Sequence, residues 1–346
     1  MKNPAVAENR RLVGFLEDAL ARELRLWKVP VFKSDRIQGT DISSFQYQDV
    51  ILWLGERSRL FKLCPETFAL GVCVLNRLLA TVKAQPKYLK CIAFTSLILA
   101  AKINEEDDVI GSVKDLVVQS GCNFSTAEIL RMERIILDKL HWDLYTATAV
   151  DFINIFHALL ISSHPHLDAG ARGGAQKRPC LQVALWTRQV QHCMACHQLW
   201  QFRGSTLALA IITLELETLT PDWFSVFTDL LKKAQIQSAE FIHCKEMVDE
   251  YLNSLEFSLP PNAVYIFDSI NVTKLQDEEE EGGGGVWGPG ALLTPPRGSG
   301  GEGDTDEFYD GFGCLYNEAL EAGGGDMEGQ VQKNVSPCPP LHPPGN

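Results

Sequence analysis

The segment Ser125-Thr126-Ala127-Glu128-Ile129-Leu130-Arg131-Met132-Glu133-Arg134-Ile135-Ile136-Leu137-Asp138-Lys139-Leu140 reads as one amphipathic helix with a single charge out of place. Ser125 and Glu128 have the spacing of a capping box, which puts a helix start there. At about 100° per residue, Ile129, Met132, Ile136 and Leu140 share one face, and Arg131, Arg134 and Asp138 share the other. Glu133 projects from the apolar face. A buried carboxylate without a partner costs several kcal/mol, so Glu133 needs a cation.

That cation lies upstream. Cys91 to Ala101 is apolar or small on every side and is followed by Lys102. A helix apolar all round is a central, buried one, and a lysine in its last turn suits the helix dipole. Acidic Glu105, Glu106, Asp107 and Asp108 follow. On the residues alone, Lys102 and Glu133 fit two readings equally well: an internal ion pair closing a helix junction, and a charged docking device at its rim.

Other helices fall out of the same periodicity. Leu12, Phe15, Leu16, Ala19, Leu20, Leu24 and Trp27 form an amphipathic first helix within residues 1–30. Val29-Pro30 and the polar stretch Ser34 to Ser44 form a link. A helix then runs from about Phe45 to Phe61. Another opens at Pro65, a favoured first-turn position, and carries the stripe Phe68, Val72, Leu75, Leu79 and Val82. A short helix near Val109–Gln119 precedes the Glu133 helix. A second set follows: a stripe at Val150, Ile153, Phe156, Leu159 and Leu160, one helix over Leu181–Trp200, then Thr206–Leu219, Asp222–Ala234 and Ala239–Leu255. Thr206–Leu219 repeats the small, apolar character of Cys91–Ala101. A repeat about 90 to 100 residues apart suggests two copies of one helical domain, over 41–146 and 147–257. The Lys/Glu pair is expected only in the first copy.

After Pro260-Pro261 the chain changes character. Residues 261–346 hold three basic residues (Lys274, Arg297, Lys333) and fifteen acidic ones, so they carry −12 of the net charge of −13. With its acidic run Asp277–Glu281 and Gly/Pro-rich sequence, the region 258–346 is expected to be disordered, because it buries too little apolar surface to offset chain entropy. One island, Phe308 to Tyr316, interleaves aromatics with acids and is a candidate site for a tail-binding protein. Thr294-Pro295 and Ser336-Pro337 are minimal proline-directed phosphorylation sites, each able to add up to about two negative charges.

The near-neutral remainder shows no basic face, which argues against nucleic acid as a partner. The longest apolar run is short of the roughly 20 residues of a membrane span. Met1-Lys2-Asn3-Pro4 leads straight into a helix, so no signal peptide is expected. Ten cysteines then suit a reducing compartment, nucleus or cytoplasm.

The order and spacing of these features resemble the cyclin box, and within that family its atypical cyclin I group. The matching stretches are Ala100-Ala101-Lys102-Ile103-Asn104-Glu105-Glu106, Met132-Glu133, Trp53-Leu54, Pro65-Glu66-Thr67-Phe68 and Trp142-Asp143-Leu144. Further ones are His192 to Cys196, Gln201 to Ser205, Phe308 to Gly311 and Ser336 to Leu341. The resemblance implies an all-α fold of tandem five-helix cyclin boxes with an N-terminal helix and an acidic tail. It also implies a non-enzymatic role as regulatory subunit of a cyclin-dependent kinase. Lys102 and Glu133 would be central kinase contacts, with Glu105, Glu106 and Trp27 beside them.

Departures from the family pattern carry information. Tyr47 stands where an arginine is usual, and Asn76 where an aspartate is usual. In the substrate-docking patch, Trp53 and Glu56 remain, while Gln46, Asp49 and Lys90 replace apolar or neutral residues. Such a groove should take Arg-x-Leu motifs poorly, which points away from a mitotic role. The rival reading is a cyclin-fold scaffold that binds non-kinase partners through its tail or second box. Truncation to 1–160 or to 261–346 would separate the two.

Three smaller motifs read as structure. In His192-Cys193-Met194-Ala195-Cys196-His197, two cysteines three apart on one helix strain tetrahedral zinc geometry, so small hydrophobic cysteines are expected. Arg57-Ser58-Arg59-Leu60 has degradation-box spacing but sits on a helix, where it reads as surface charge plus core. His164 and His166 flank Pro165 in a loop. No nucleophile–base pair, metal cluster or phosphate loop is present, and no cofactor is expected.

Overall fold

A computed structural model of the protein describes residues 4–106, 110–164 and 182–258. The acidic tail, with Thr294, Ser336 and Phe308–Tyr316, lies outside the described residues, as does most of the loop after Ser163. The fold is all-α: tandem five-helix sets preceded by an N-terminal helix. Helix α1 is Pro4–Leu26. The first set is α2 (Ser44–Leu60), α3 (Pro65–Leu79), α4 (Leu89–Asn104), α5 (Val113–Ser120) and α6 (Thr126–Lys139). The second is α7 (Ala149–Ser163), α8 (Val183–Cys193), α9 (Gly204–Leu219), α10 (Trp223–Lys233) and α11 (Ser238–Ser258).

Local chemistry sets the helix starts. Capping boxes pair Ser43 with Gln46, Ser125 with Glu128 and Thr148 with Asp151. Pro65 opens α3. Gly121, at φ 63°, closes α5 in the left-handed region.

Each set is wound around the helix that holds its long apolar run. Leu89 and Cys91 to Ala101 of α4 are buried, and α4 packs on α2, α3 and α6. In the second set α9 packs on α7, α8, α10 and α11. The expected buried helices are thus the two central ones. Gly71 lets α3 approach α4 closely, since a Cβ there would lie 3.2 Å from Leu97 Cα. The starts of α4 and α9 are 115 residues apart, and those of α6 and α11 are 112. This is wider than the 90 to 100 expected, chiefly because 19 residues separate α7 from α8 where four separate α2 from α3.

Three further expectations are corrected. The helix foreseen over 181–200 stops at Cys193; Met194–Cys196 turns, and His197–Gln201 forms a short 3₁₀ helix. The turn lets the Trp200 indole donate to the Met194 carbonyl at 3.1 Å. The link before α2 contains a small antiparallel hairpin, Phe32–Lys33 (β1) on Arg36–Ile37 (β2). Its turn residues Ser34 and Asp35 are at φ 51° and 64°, and strands of two residues each are too short to show an alternating pattern. Leu60, expected in the core, is half exposed, whereas its neighbour Ser58 is buried.

The N-terminal helix belongs to both sets. Its buried face is Leu16, Ala19, Glu23 and Leu26, while Phe15 and Leu24 are exposed. It packs along α7, where Asn9 donates to Ser163 Oγ at 3.1 Å. The stripe is therefore rotated from the expected one, because a carboxylate, Glu23, is one of its buried members.

Candidate functional site

The end of α4 and the middle of α6 meet at one ion pair. Lys102 Nζ lies 2.6 Å from Glu133 Oε1, with the side chains 40% and 16% exposed. Ile129, Met132, Ile135 and Ile136 anchor α6 on the core, which leaves Glu133 at the border of that face. Its second oxygen, Oε2, is buried with no hydrogen-bond partner among the described residues. A half-satisfied carboxylate is costly, and one further donor would complete it. Exposed apolar side chains stand on both sides of the pair: Ile103 beside Lys102, and Leu130 one turn before Glu133.

Glu105 is turned inward. Its Oε1 accepts from the Cys64 N–H at 2.7 Å and from the Thr67 hydroxyl at 2.5 Å. It thereby caps α3, whose N-cap residue Cys64 supplies no side-chain capping hydrogen bond and instead donates its own thiol to Glu105 Oε2 at 3.5 Å. Glu106 is exposed; Asp107 and Asp108 lie outside the described residues. Trp27 follows the end of α1, partly exposed, and lines a cavity of about 80 Å³ between α1 and the two sets, with Glu23, Cys73, Asn76 and Cys193.

A second pair was missed by the sequence reading. Lys245 of α11 lies 2.8 Å from Glu217 of α9. Lys102 is residue 14 of α4 and Glu217 residue 14 of α9; Glu133 is residue 8 of α6 and Lys245 residue 8 of α11. The second set therefore carries the same ion pair with its charges exchanged. Ile242, exposed on α11, matches Leu130 of α6. The signal was legible only once the helix starts were aligned, since Lys/Glu order was the pattern sought.

Tyr47 and Asn76 form a pair with each other. The Tyr47 hydroxyl donates to Asn76 Oδ1 at 2.6 Å, fully inside the protein. The ring meets the Trp200 indole edge-on at 3.7 Å between centroids, and the Phe32 ring lies tilted 5.5 Å from the same indole. The two departures thus replace charges by a neutral hydrogen bond and tie α2 and α3 to the second set. Arg77 beside them donates to the carbonyls of Asp143 and Leu144 at 2.7 and 3.1 Å, which fixes the segment closing the first set. Trp142 in that segment is 70% exposed at φ 61°, a strained placement for an aromatic residue.

Glu23 locks α1 to the start of α9. It accepts from the Ser205 N–H at 2.9 Å and the Ser205 hydroxyl at 2.5 Å, an N-terminal anion site filled by the chain itself. Burial raises its pKa against these hydrogen bonds and nearby Arg203. Gly204 is required here: a Cβ would lie 2.9 Å from Ala149 N and 3.2 Å from Glu23 Oε1.

Of the residues expected to form a docking patch, Gln46, Asp49, Trp53 and Lys90 line one groove with Arg57 and Lys87. Glu56 stands outside the groove and reaches Arg57 at 3.7 Å. The Cys-x-x-Cys stretch is core: Cys193 and Cys196 are buried, and burial pushes both thiols up. His192 is pushed down to about 4 by burial and by Arg188. No group of three or more His, Cys, Asp or Glu among the described residues could hold a metal. No helix among them is long and apolar enough to cross a membrane.

Comparison with known proteins gives the fold its family. The model for the cyclin N-terminal domain matches residues 28–145. Human Cyclin-I2 is 47% identical over 251 residues, 72% of this chain and 65% of that protein. Human Cyclin-G2 is 32% identical over 204 residues, 59% of this chain and 56% of that protein. The match thus spans less than two thirds of either relative's length. The X-ray structure of a viral cyclin from herpesvirus saimiri shares the fold, with a TM-score of 0.53 at 18% identity over 68% of this chain and 97% of that one. With both helical sets and these matches in hand, residues 28–145 form a cyclin N-terminal domain, and the chain is similar to cyclins beyond it.

Proposed function

We propose that this protein is a regulatory subunit of a cyclin-dependent kinase, docking through the face that joins α4 to α6. The carrying observation is the Lys102–Glu133 pair at 2.6 Å, with one oxygen of Glu133 still lacking a donor. It sits between exposed Ile103 and Leu130. Apolar shoulders supply area, and the charges fix register through charge-assisted hydrogen bonds to backbone and side chains. Docked there, the box would hold the kinase's mobile helix so that the kinase's own Lys–Glu pair forms. Trp27 and Glu106 would flank this face, and Glu105 would act by holding α3.

The test is capture from a panel of cyclin-dependent kinases by the full chain, with kinase activity read on the captured material. One kinase captured and activated supports the reading; none captured leaves the scaffold role in its place. Point variants are the right tool rather than truncation to 1–160. That cut would strip α1 of the Ser205 lock and uncover the Tyr47 side of the first set.

A further inference from the structure

The groove lined by Gln46, Asp49, Trp53 and Lys90 carries more cations than carboxylates. It lies between α2, the turn leading into α4 and the α5–α6 connection, with a volume of about 560 Å³, within the range of ligand sites. Its floor holds Val50, Leu89 and Phe124. Its central ring is Trp53, and two cations crowd it: Lys90 Nζ is 5.7 Å and Arg57 Cζ 5.8 Å from the ring centroid. Lys87 stands on the rim, 5.0 Å from the Tyr88 ring. Asp49 is the one carboxylate in the lining. The groove is therefore a positive site on a chain of net charge −13.

Among the described residues these charges are poorly balanced. Glu56 meets Arg57 only at 3.7 Å, from outside the groove. Arg57 Nη1 is committed to the Ser120 carbonyl at 2.8 Å, and its Nε is buried with no acceptor among the described residues. Two cations around one indole repel each other, and a cation–π contact does not discharge them. A carboxylate placed between Lys90 and Arg57 would. A basic Arg-x-Leu motif entering the same groove would meet three like charges.

We propose that this groove docks an acidic peptide segment of a partner protein, its carboxylates on Lys87, Lys90 and Arg57 and an aromatic or aliphatic side chain on Trp53 and Val50. The site is separate from the kinase face. Lys90 lies in the first turn of α4 and Lys102 in its last, about 18 Å apart along the helix. Both faces can therefore be occupied at once.

The experiment is fluorescence anisotropy with the full chain and labelled peptides. The probes are Glu-Glu-Phe-Glu-Leu-Glu, its Gln-for-Glu analogue, and a basic Arg-Arg-Leu peptide. The acidic probe is expected to bind at least tenfold tighter than either other, and to weaken as salt rises. Lys87→Glu with Lys90→Glu should weaken it at least tenfold and strengthen the basic probe. Asp49→Lys should tighten the acidic probe severalfold. All three side chains are exposed, so the helical melt should stay in place and serve as the folding control. Equal binding of the acidic and Gln probes, preference for the basic probe, undiminished acidic binding by the Lys87/Lys90 variant, or no acidic binding at millimolar peptide would each overturn the proposal.

Discussion

The Tyr47 hydroxyl and the Asn76 carboxamide satisfy one another at 2.6 Å, at two positions where the resemblance to cyclins implies opposite charges. The exchange is coherent. Trp200 stands 3.7 Å from the Tyr47 ring, and a neutral pair suits an aromatic cluster better than an ion pair, which has to recover its desolvation cost. Removing the hydroxyl leaves Asn76 buried and short of a donor. Tyr47→Phe should therefore cost about 1–3 kcal/mol, read as a fall in urea midpoint at unchanged slope. Tyr47→Arg alone should cost more, since it buries a charge beside an uncharged partner. A Tyr47→Phe variant as stable as wild type would contradict the pairing.

Glu23 predicts a pH dependence. Its folded pKa is raised, chiefly by burial, so the folded protein holds this proton more tightly than the unfolded chain does. The stabilisation linked to that proton is complete below the unfolded value, near pH 4, and is lost as pH rises through the folded value. Glu23→Gln keeps an acceptor for the Ser205 N–H and offers a donor to the Ser205 hydroxyl. Relative to wild type the variant should gain in melting temperature between pH 4 and 7.5. A relative loss over that range would show that the charged form is the one the fold favours.

Gly204→Ala tests the same junction by volume. The added methyl would sit 2.9 Å from Ala149 N, backbone that cannot retreat without moving α7. The expected cost is about 1–3 kcal/mol, visible as a lower melting temperature. No change would mean that α1, α7 and α9 meet less tightly than described.

Much of this fold was legible because its signals are local. The Ser125–Glu128 capping box, Pro65 and the all-apolar runs of α4 and α9 each act within one or two turns. What was not legible depends on partners distant in sequence. Glu23 reads as one more surface acid until Ser205, 182 residues on, is brought to it. Glu105 looks like part of an acidic run until Cys64 and Thr67 are seen to need a cap. Tyr47 and Asn76 were each noticed as departures, but nothing in a linear chain says that they touch. The exchanged Glu217–Lys245 pair was hidden by its reversed order.

That exchanged pair supplies the control for the central claim. Both junctions hold a Lys–Glu contact of similar length, 2.6 and 2.8 Å, so loss of either should cost at most about 1 kcal/mol of stability. They differ in polarity, and a partner that reads polarity should distinguish them. The decisive measurement is kinase capture and activity for three forms of the full chain: wild type, Lys102→Ala with Glu133→Ala, and Glu217→Ala with Lys245→Ala, each confirmed by a cooperative helical melt. The account predicts that the first-box variant loses the kinase at least tenfold and the second-box variant keeps it. Equal retention by both variants, or loss only in the second, would contradict docking through Lys102 and Glu133.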